Sequence, residues 1–243
     1  MNETLTKLQY DICENEKGGL PVIIVAAGAF TRMQGIHKQF IELNGIPVIA
    51  KTLLAFENCP AVKNIILVVR AEDLFEFQLL ADKYMISKLS DIVCGGATRQ
   101  ESVLNGFARV SNEDTSVLIH DGARPLVTSE IICSVAKALE NCNAVTCAVK
   151  VKDTVKEVDE RGKVIKTLLR DSLVAVQTPQ GVRVKEYRNA VEKAGDVSTF
   201  TDDTSLMEAA GYEVFTVEGS YKNIKITTPE DIKSACAFLE EET

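Results

Sequence analysis

The stretch Val22–Phe40 reads VIIVAAGAFTRMQGIHKQF. Val22-Ile23-Ile24-Val25 is a β-branched run too short for a helix, which marks a buried strand. The strand continues through Ala26 and Ala27 into Gly28, where a backbone can bend sharply or approach a ligand with no Cβ in the way. Thr31, Arg32 and Lys38 follow within reach of that turn. A buried strand that ends in small residues and then presents an Arg and a Lys suits a triphosphate. It equally suits an ordinary strand-to-loop turn with solvated charges, and the stretch alone does not choose between the two.

Outward from this strand, strand and helix patterns alternate. VIAKTLLAF after Pro47 carries Val48, Ile49, Leu53 and Phe56 at helical spacing, with Pro47 expected at the first helical position. A strand at Ile65–Val69, a helix over 72–83, a strand ending at Cys94 and a helix over 99–110 follow. Val117-Leu118-Ile119 is another buried strand, ending in His120-Asp121. A helix over 129–140 and a strand over 144–149 come next. This rhythm predicts an α/β fold, a Rossmann-like three-layer sandwich around a mostly parallel twisted sheet. Ligands of such sheets bind at the carboxyl ends of the strands, where Gly28, Gly95-Gly96 and Asp121 fall.

The rhythm breaks over 150–177. VKDTVKEVDERGKVIKTLL alternates apolar and charged residues on both sides of Asp159-Glu160-Arg161-Gly162, the pattern of a β-hairpin with polar faces. A hairpin protruding from the body exposes its edges unless something covers them, so residues 150–172 are expected to be a dimerisation arm. Beyond it, helices are expected over 184–194 and 203–210. The second is capped by Thr201 or Asp202 and closed by Gly211. Short strands over 213–216 and 223–226 precede a last helix from Pro229. Residues 1–19 read as an extension, and 20–243 as a single domain.

Composition excludes several function classes. The 243 residues carry a formal net charge of −8, leaving no basic face for nucleic acid. A small anionic ligand therefore requires a few cations gathered in one place. Hydrophobic residues make up 46%, with no apolar run of membrane-spanning length, so no membrane contact is expected. The polar, acidic start resembles neither a secretory signal nor a transit peptide. The 7 cysteines form no CxxC pair, which argues against a disulfide framework or zinc site. Cys133 and Cys236 lie in apolar helical patterns and read as buried thiols, so a reducing cytoplasmic location is expected. The Walker A and dinucleotide fingerprints are both absent.

AAGAFTRMQGIHKQF resembles the nucleotidyltransferase signature A-A-G-x-G-x-R-M-x(n)-P-K-Q. CGGATRQESV, IHDGARP, VKVKDTVK, LLRDSLVAVQTPQ, TDDTSLMEAAG and VEGSYKNIKITTPEDI follow in order. Together they resemble the 2-C-methyl-D-erythritol 4-phosphate cytidylyltransferase family over about Leu20 to Phe238. The resemblance implies transfer of a cytidylyl group from CTP to a sugar-alcohol phosphate, with Mg²⁺ and release of pyrophosphate, in isoprenoid precursor synthesis. It also implies a homodimer whose β-arms reach across to the partner. A fused downstream cyclase is not expected after the last helix.

By the same resemblance, Arg32 and Lys38 stabilise the transition state, while Arg170 and Lys225 hold the acceptor phosphate in line. Such cations are needed because two anions meet and charge grows on the leaving pyrophosphate. Ala26, Ala27, Gly28, Gly96, Ser102, Asp121 and Arg124 match nucleotide contacts. Thr154, from the partner's arm, and Thr178 and Thr201 match substrate contacts. Asp121 is the candidate metal ligand, directly or through water; a loop-capping Asp is the competing reading.

Two departures stand out. Phe30 replaces the signature's second glycine, and the segment between Met33 and Lys38 is one residue short, with His37 in place of Pro. A Phe does not take positive φ cheaply, so CTP binding is expected to tighten in Phe30→Gly, as measured by titration. The rival readings are a ribitol 5-phosphate cytidylyltransferase and a nucleotide-binding module without catalysis.

Overall fold

Successive side chains of a strand point to opposite faces, and in this protein both faces are covered. The computed structural model describes residues 18–28 and 38–241, with only the backbone of Lys38. Arg32 and the departures at Phe30 and His37 lie outside the described residues. In chain order come β1 (Leu20–Val25), β2 (Glu42–Leu43), β3 (Ile46–Pro47), α1 (Val48–Glu57), β4 (Val62–Val69) and α2 (Leu74–Lys83). Next are β5 (Leu89–Cys94), α3 (Arg99–Phe107), β6 (Ser116–Asp121), α4 (Ser129–Ala138) and β7 (Ala144–Lys150). The chain finishes with β8 (Lys156–Val158), β9 (Val164–Thr167), β10 (Val174–Arg183), α5 (Val184–Ala194), α6 (Asp203–Ala209), β11 (Val214–Glu218) and α7 (Pro229–Glu240).

Seven strands form the central sheet in the order β11-β7-β10-β6-β1-β4-β5. All are parallel except β10, which runs antiparallel to both β6 and β7. Val22 and Ile24 of β1, with Ile65, Leu67 and Val69 of β4, pack beneath α1, α2 and α4. Ile23, Ile66 and Val68 pack on the other face against α3, α5 and α6. Covering both faces is why these strands are continuous apolar runs rather than alternating ones. The three-layer α/β sandwich is thus the observed architecture.

Several expectations need correction. The 174–183 stretch, to which the sequence pattern assigns no element, is a long strand of the sheet. The Thr178–Pro179 peptide is cis, and the register against β7 shifts between Val176 and Gln180. Residues 223–226 are not a strand. Their backbone is irregular, tied by Ile226 N–H to Ala123 O (2.8 Å), while Asn223 O accepts from Arg124 Nη1 (2.8 Å). Pro47 is the N-cap of α1, one position before the helix. Cys133 is buried but disulfide-bonded rather than a free thiol, and Cys236 is half-buried. Asp202 caps α6 by accepting from Ser205 N–H, and Gly211 follows it at φ +89°.

The hairpin β8–β9 is observed as a separate two-stranded sheet with every strand residue exposed. Asp159 shapes its turn by accepting from the N–H groups of Arg161 (3.0 Å) and Lys163 (2.9 Å). Among the described residues no helix is long and apolar enough to cross a membrane.

Candidate active site

The carboxyl ends of β1, β5 and β6 open on one side of the sheet, where the loops after them build a cavity of about 560 Å³. Ala27, Gly28, Gly96, Ser102 and Asp121 line it. Gly95 lies so close to the β1 end that a Cβ on it would run into Ala27 Cβ and come 2.9 Å from Ser102 Oγ. Only glycine lets the two loops meet there. Ser102 holds the loop, accepting from Gly96 N–H (3.0 Å) and donating to Thr98 O (2.9 Å). Thr98 caps α3 by accepting from Glu101 N–H, while Glu101 Oε2 accepts from Ala97 N–H (2.7 Å). Ala26 is buried in the core cluster and does not line the cavity.

A second cavity of about 500 Å³ lies beside the first, lined by Thr178, Thr201, Arg124, Asp202 and Thr216 among others. Arg99, Asp121 and Lys225 line both cavities and so form their shared wall. Asp121 Oδ2 sits 2.8 Å from Lys225 Nζ and 3.5 Å from Arg124 Nε, and its Oδ1 is 3.4 Å from Arg99 Nε. Burial alone would raise the Asp121 carboxyl, but Lys225, Arg99 and Arg124 outweigh it and hold the group well below the usual carboxylate range. Of the four cations expected to be catalytic only Lys225 is among these three; Arg170 is elsewhere, and Arg32 and the Lys38 side chain lie outside the described residues.

Behind Asp121 lies a hydrogen-bonded support. Thr178 Oγ1 accepts from Asp121 N–H (3.1 Å) and is 3.1 Å from His120 Nδ1. His120 Nε2 is 3.2 Å from Arg124 O, an acceptor only. The pattern assigns the ring proton to Nε2, with the Thr178 hydroxyl donating to Nδ1. Burial pushes His120 down to about 3, so the ring is neutral. The Thr178 proton is committed inside the protein, so this residue shapes the site from behind.

Lys225 is positioned by β10. Gln177 Nε2 donates to Ser220 O (2.8 Å), and Asn223 Nδ2 donates to Thr178 O (2.9 Å), fixing the irregular segment that carries the lysine. Gln177 and Thr178 fall between Val176 and Gln180, where the register against β7 shifts. Arg170 and Thr154 are exposed, outside both cavities; Arg170 Nη1 donates to Lys152 O (3.2 Å).

The residues that motif reading missed are Arg99, Asp203, Tyr187 and Gln177. Arg99 Nη1 meets Asp203 Oδ2 at 2.9 Å, and the Tyr187 hydroxyl donates to Asp203 Oδ1 (2.9 Å). Arg99 and Asp203 are 104 positions apart, and the remaining signal was an unassigned Arg and Asp inside two of the quoted motifs.

Among the described residues no three His, Cys, Asp or Glu side chains come together to hold a metal. The one carboxylate on the shared wall fits a different arrangement. Mg²⁺ keeps most of its ligands as water and substrate phosphate oxygens and needs one or two carboxylates. Asp121 is the carboxylate that would hold such an ion, with Lys225, Arg99 and Arg124 already around its oxygens.

Comparison with known proteins identifies the family. The family profile for 2-C-methyl-D-erythritol 4-phosphate cytidylyltransferase matches residues 20–241. A relative of that name from Bacillus cereus is 47% identical over 221 residues, covering 90% of this chain and 96% of its own. One from Clostridium novyi is 44% identical over 221 residues, covering 90% of this chain and 95% of its own. The crystal structure of 4-diphosphocytidyl-2C-methyl-D-erythritol synthase from Anaerococcus prevotii superposes with a TM-score of 0.82 at 33% identity, covering 95% of this chain and 99% of that one. The fold, the paired cavities and these matches lead to one assignment: the chain belongs to the 2-C-methyl-D-erythritol 4-phosphate cytidylyltransferase family.

Proposed function

We propose that the two cavities hold the two substrates of the family reaction. CTP lies beside Gly28 and Gly96, 2-C-methyl-D-erythritol 4-phosphate beside Thr201, and the reacting phosphates meet at Asp121 and Lys225. The observation that carries this reading is the shared wall: an anion in either cavity meets the same cation pair with its central carboxylate. An oxygen of the acceptor phosphate attacks the α-phosphorus of CTP and the bond to pyrophosphate breaks, giving 4-diphosphocytidyl-2-C-methyl-D-erythritol. Negative charge grows on the α-phosphate and the leaving group, and positioned cations are the main remedy.

In this reading Asp121 orients Lys225, and Arg124 contributes charge from behind, with its Nη1 spent on Asn223 O. Arg32 and Lys38 act on the triphosphate. Asp121 would hold Mg²⁺, directly or through water, and the ion would supply charge neutralisation of the phosphates. Residues 150–172 act as a dimer arm, bringing Thr154 and Arg170 to the partner's site. The exposure of Val158, Val164, Ile165 and Leu169 on the arm supports this, because these apolar side chains lack cover within one chain. Residues 20–243 act as one domain after the 1–19 extension, and CTP as donor places the protein in the cytoplasm.

The test is pyrophosphate release from CTP and Mg²⁺ with each of two acceptors. Turnover with methylerythritol phosphate and little with ribitol 5-phosphate is expected; the reverse preference contradicts the assignment of the acceptor cavity.

A further inference from the structure

Arg99 opens α3 on the nucleotide side and reaches Asp203, the first residue of α6, on the acceptor side. Asp203 is fully buried and both its carboxylate oxygens are used, one by the Tyr187 hydroxyl and one by Arg99 Nη1. Its backbone N–H donates to Gln180 Oε1 (3.0 Å), so the anchor itself is fixed to β10. Taking a carboxylate out of water is costly unless it is paired, and the charged partner of Asp203 is this guanidinium. Burial would lower the Arg99 pKa, but Asp203 and Asp121 more than reverse that, so the side chain is permanently cationic.

The guanidinium is only partly used. Nε faces Asp121 Oδ1 at 3.4 Å, and Nη1 faces Asp203 at 2.9 Å and Gln100 Oε1 at 3.4 Å. No described residue accepts a hydrogen bond from Nη2, and the side chain keeps 25% of its surface exposed. A strut joining two helices has no need of a place on the wall of both cavities, yet Arg99 has one. A planar guanidinium with N–H groups left over is the group that grips phosphate best.

We propose that Arg99 is a further phosphate-binding residue of this reaction, anchored by Asp121 and the buried Asp203 so that its remaining nitrogen serves the phosphates meeting between the two cavities. The inference rests on the substrate placement proposed above. It assigns a phosphate to one of the two cations of the shared wall and gives the Asp203–Tyr187 pair the role of positioning it.

Arg99→Lys keeps the charge and loses the planar fork; Arg99→Ala removes both. Three quantities are read: CTP affinity by calorimetry with Mg²⁺, kcat with methylerythritol phosphate, and melting temperature. Arg99→Lys is expected to lose tenfold or more in CTP affinity or kcat while melting within a few degrees of the parent. Added guanidinium ion is expected to restore part of the loss in Arg99→Ala. A folded Arg99→Lys with both quantities within threefold of the parent overturns the inference. So does a loss that follows a fall in melting temperature and resists guanidinium, which makes Arg99 a strut alone. If the parent binds CTP but does not turn over methylerythritol phosphate, the acceptor assignment fails, and the CTP affinities still decide the role of Arg99.

Discussion

Lys225 and His120 show how single residues carry the site. Lys225 Nζ lies 2.8 Å from Asp121 and its side chain is about one-third exposed, and without it Asp121 keeps Arg99 and Arg124 as partners. Lys225→Met is expected to lower kcat by about 10²–10³, the usual cost of one positioned charge, with melting nearly unchanged. A kcat within a few-fold of the parent contradicts its role. His120 makes a pH prediction. Its buried ring titrates at about 3 against 6.5 in the unfolded chain. The folded value is depressed, so the unfolded chain takes up a proton that the folded ring refuses. The stability from the neutral ring is complete above pH 6.5 and is lost as pH falls toward 3, by about 1.4 kcal/mol per pH unit. Urea unfolding between pH 7.5 and 4.5 measures the slope, and His120→Asn is expected to flatten it. Equal slopes in the two proteins contradict the assignment.

At the scale of elements, what was legible in the sequence depended on local pattern. The β-branched runs at 22–25, 65–69 and 117–119 are strands because a doubly covered sheet demands unbroken apolar residues, and that demand is local. The hairpin showed itself by alternation around Asp159–Gly162. The strand β10 did not, because its register shift and Pro179 put turn residues at its centre, and only pairing with β6 and β7 makes it a strand. Ile224-Lys225-Ile226 had the opposite fault: it alternates like a strand, but Gln177 and Ala123 hold it in an irregular path. In the site, Asp121, Gly96 and Lys225 stood out through their motifs. Arg99 and Asp203 did not, because a contact spanning 104 positions leaves no local trace. For the arm, a variant lacking Val155–Lys166 is expected to sediment as a monomer where the parent sediments as a dimer. An intact dimer in that variant contradicts the arm's role.

For the whole molecule, the formal charge of −8 and the chemistry of two anionic substrates are reconciled by placement. Arg99, Arg124 and Lys225 converge on one buried carboxylate at the carboxyl ends of the strands, where the sheet topology opens its crevice. The claim on which all of this depends is that the two cavities bring CTP and methylerythritol phosphate together at that point. The most direct measurement is pyrophosphate release by the purified protein with CTP, 2-C-methyl-D-erythritol 4-phosphate and Mg²⁺, omitting each in turn. Release that requires all three, with a cytidine diphosphate ester of methylerythritol formed in equal amount, is the predicted result. CTP binding without any release contradicts the account and leaves a nucleotide-binding module in its place.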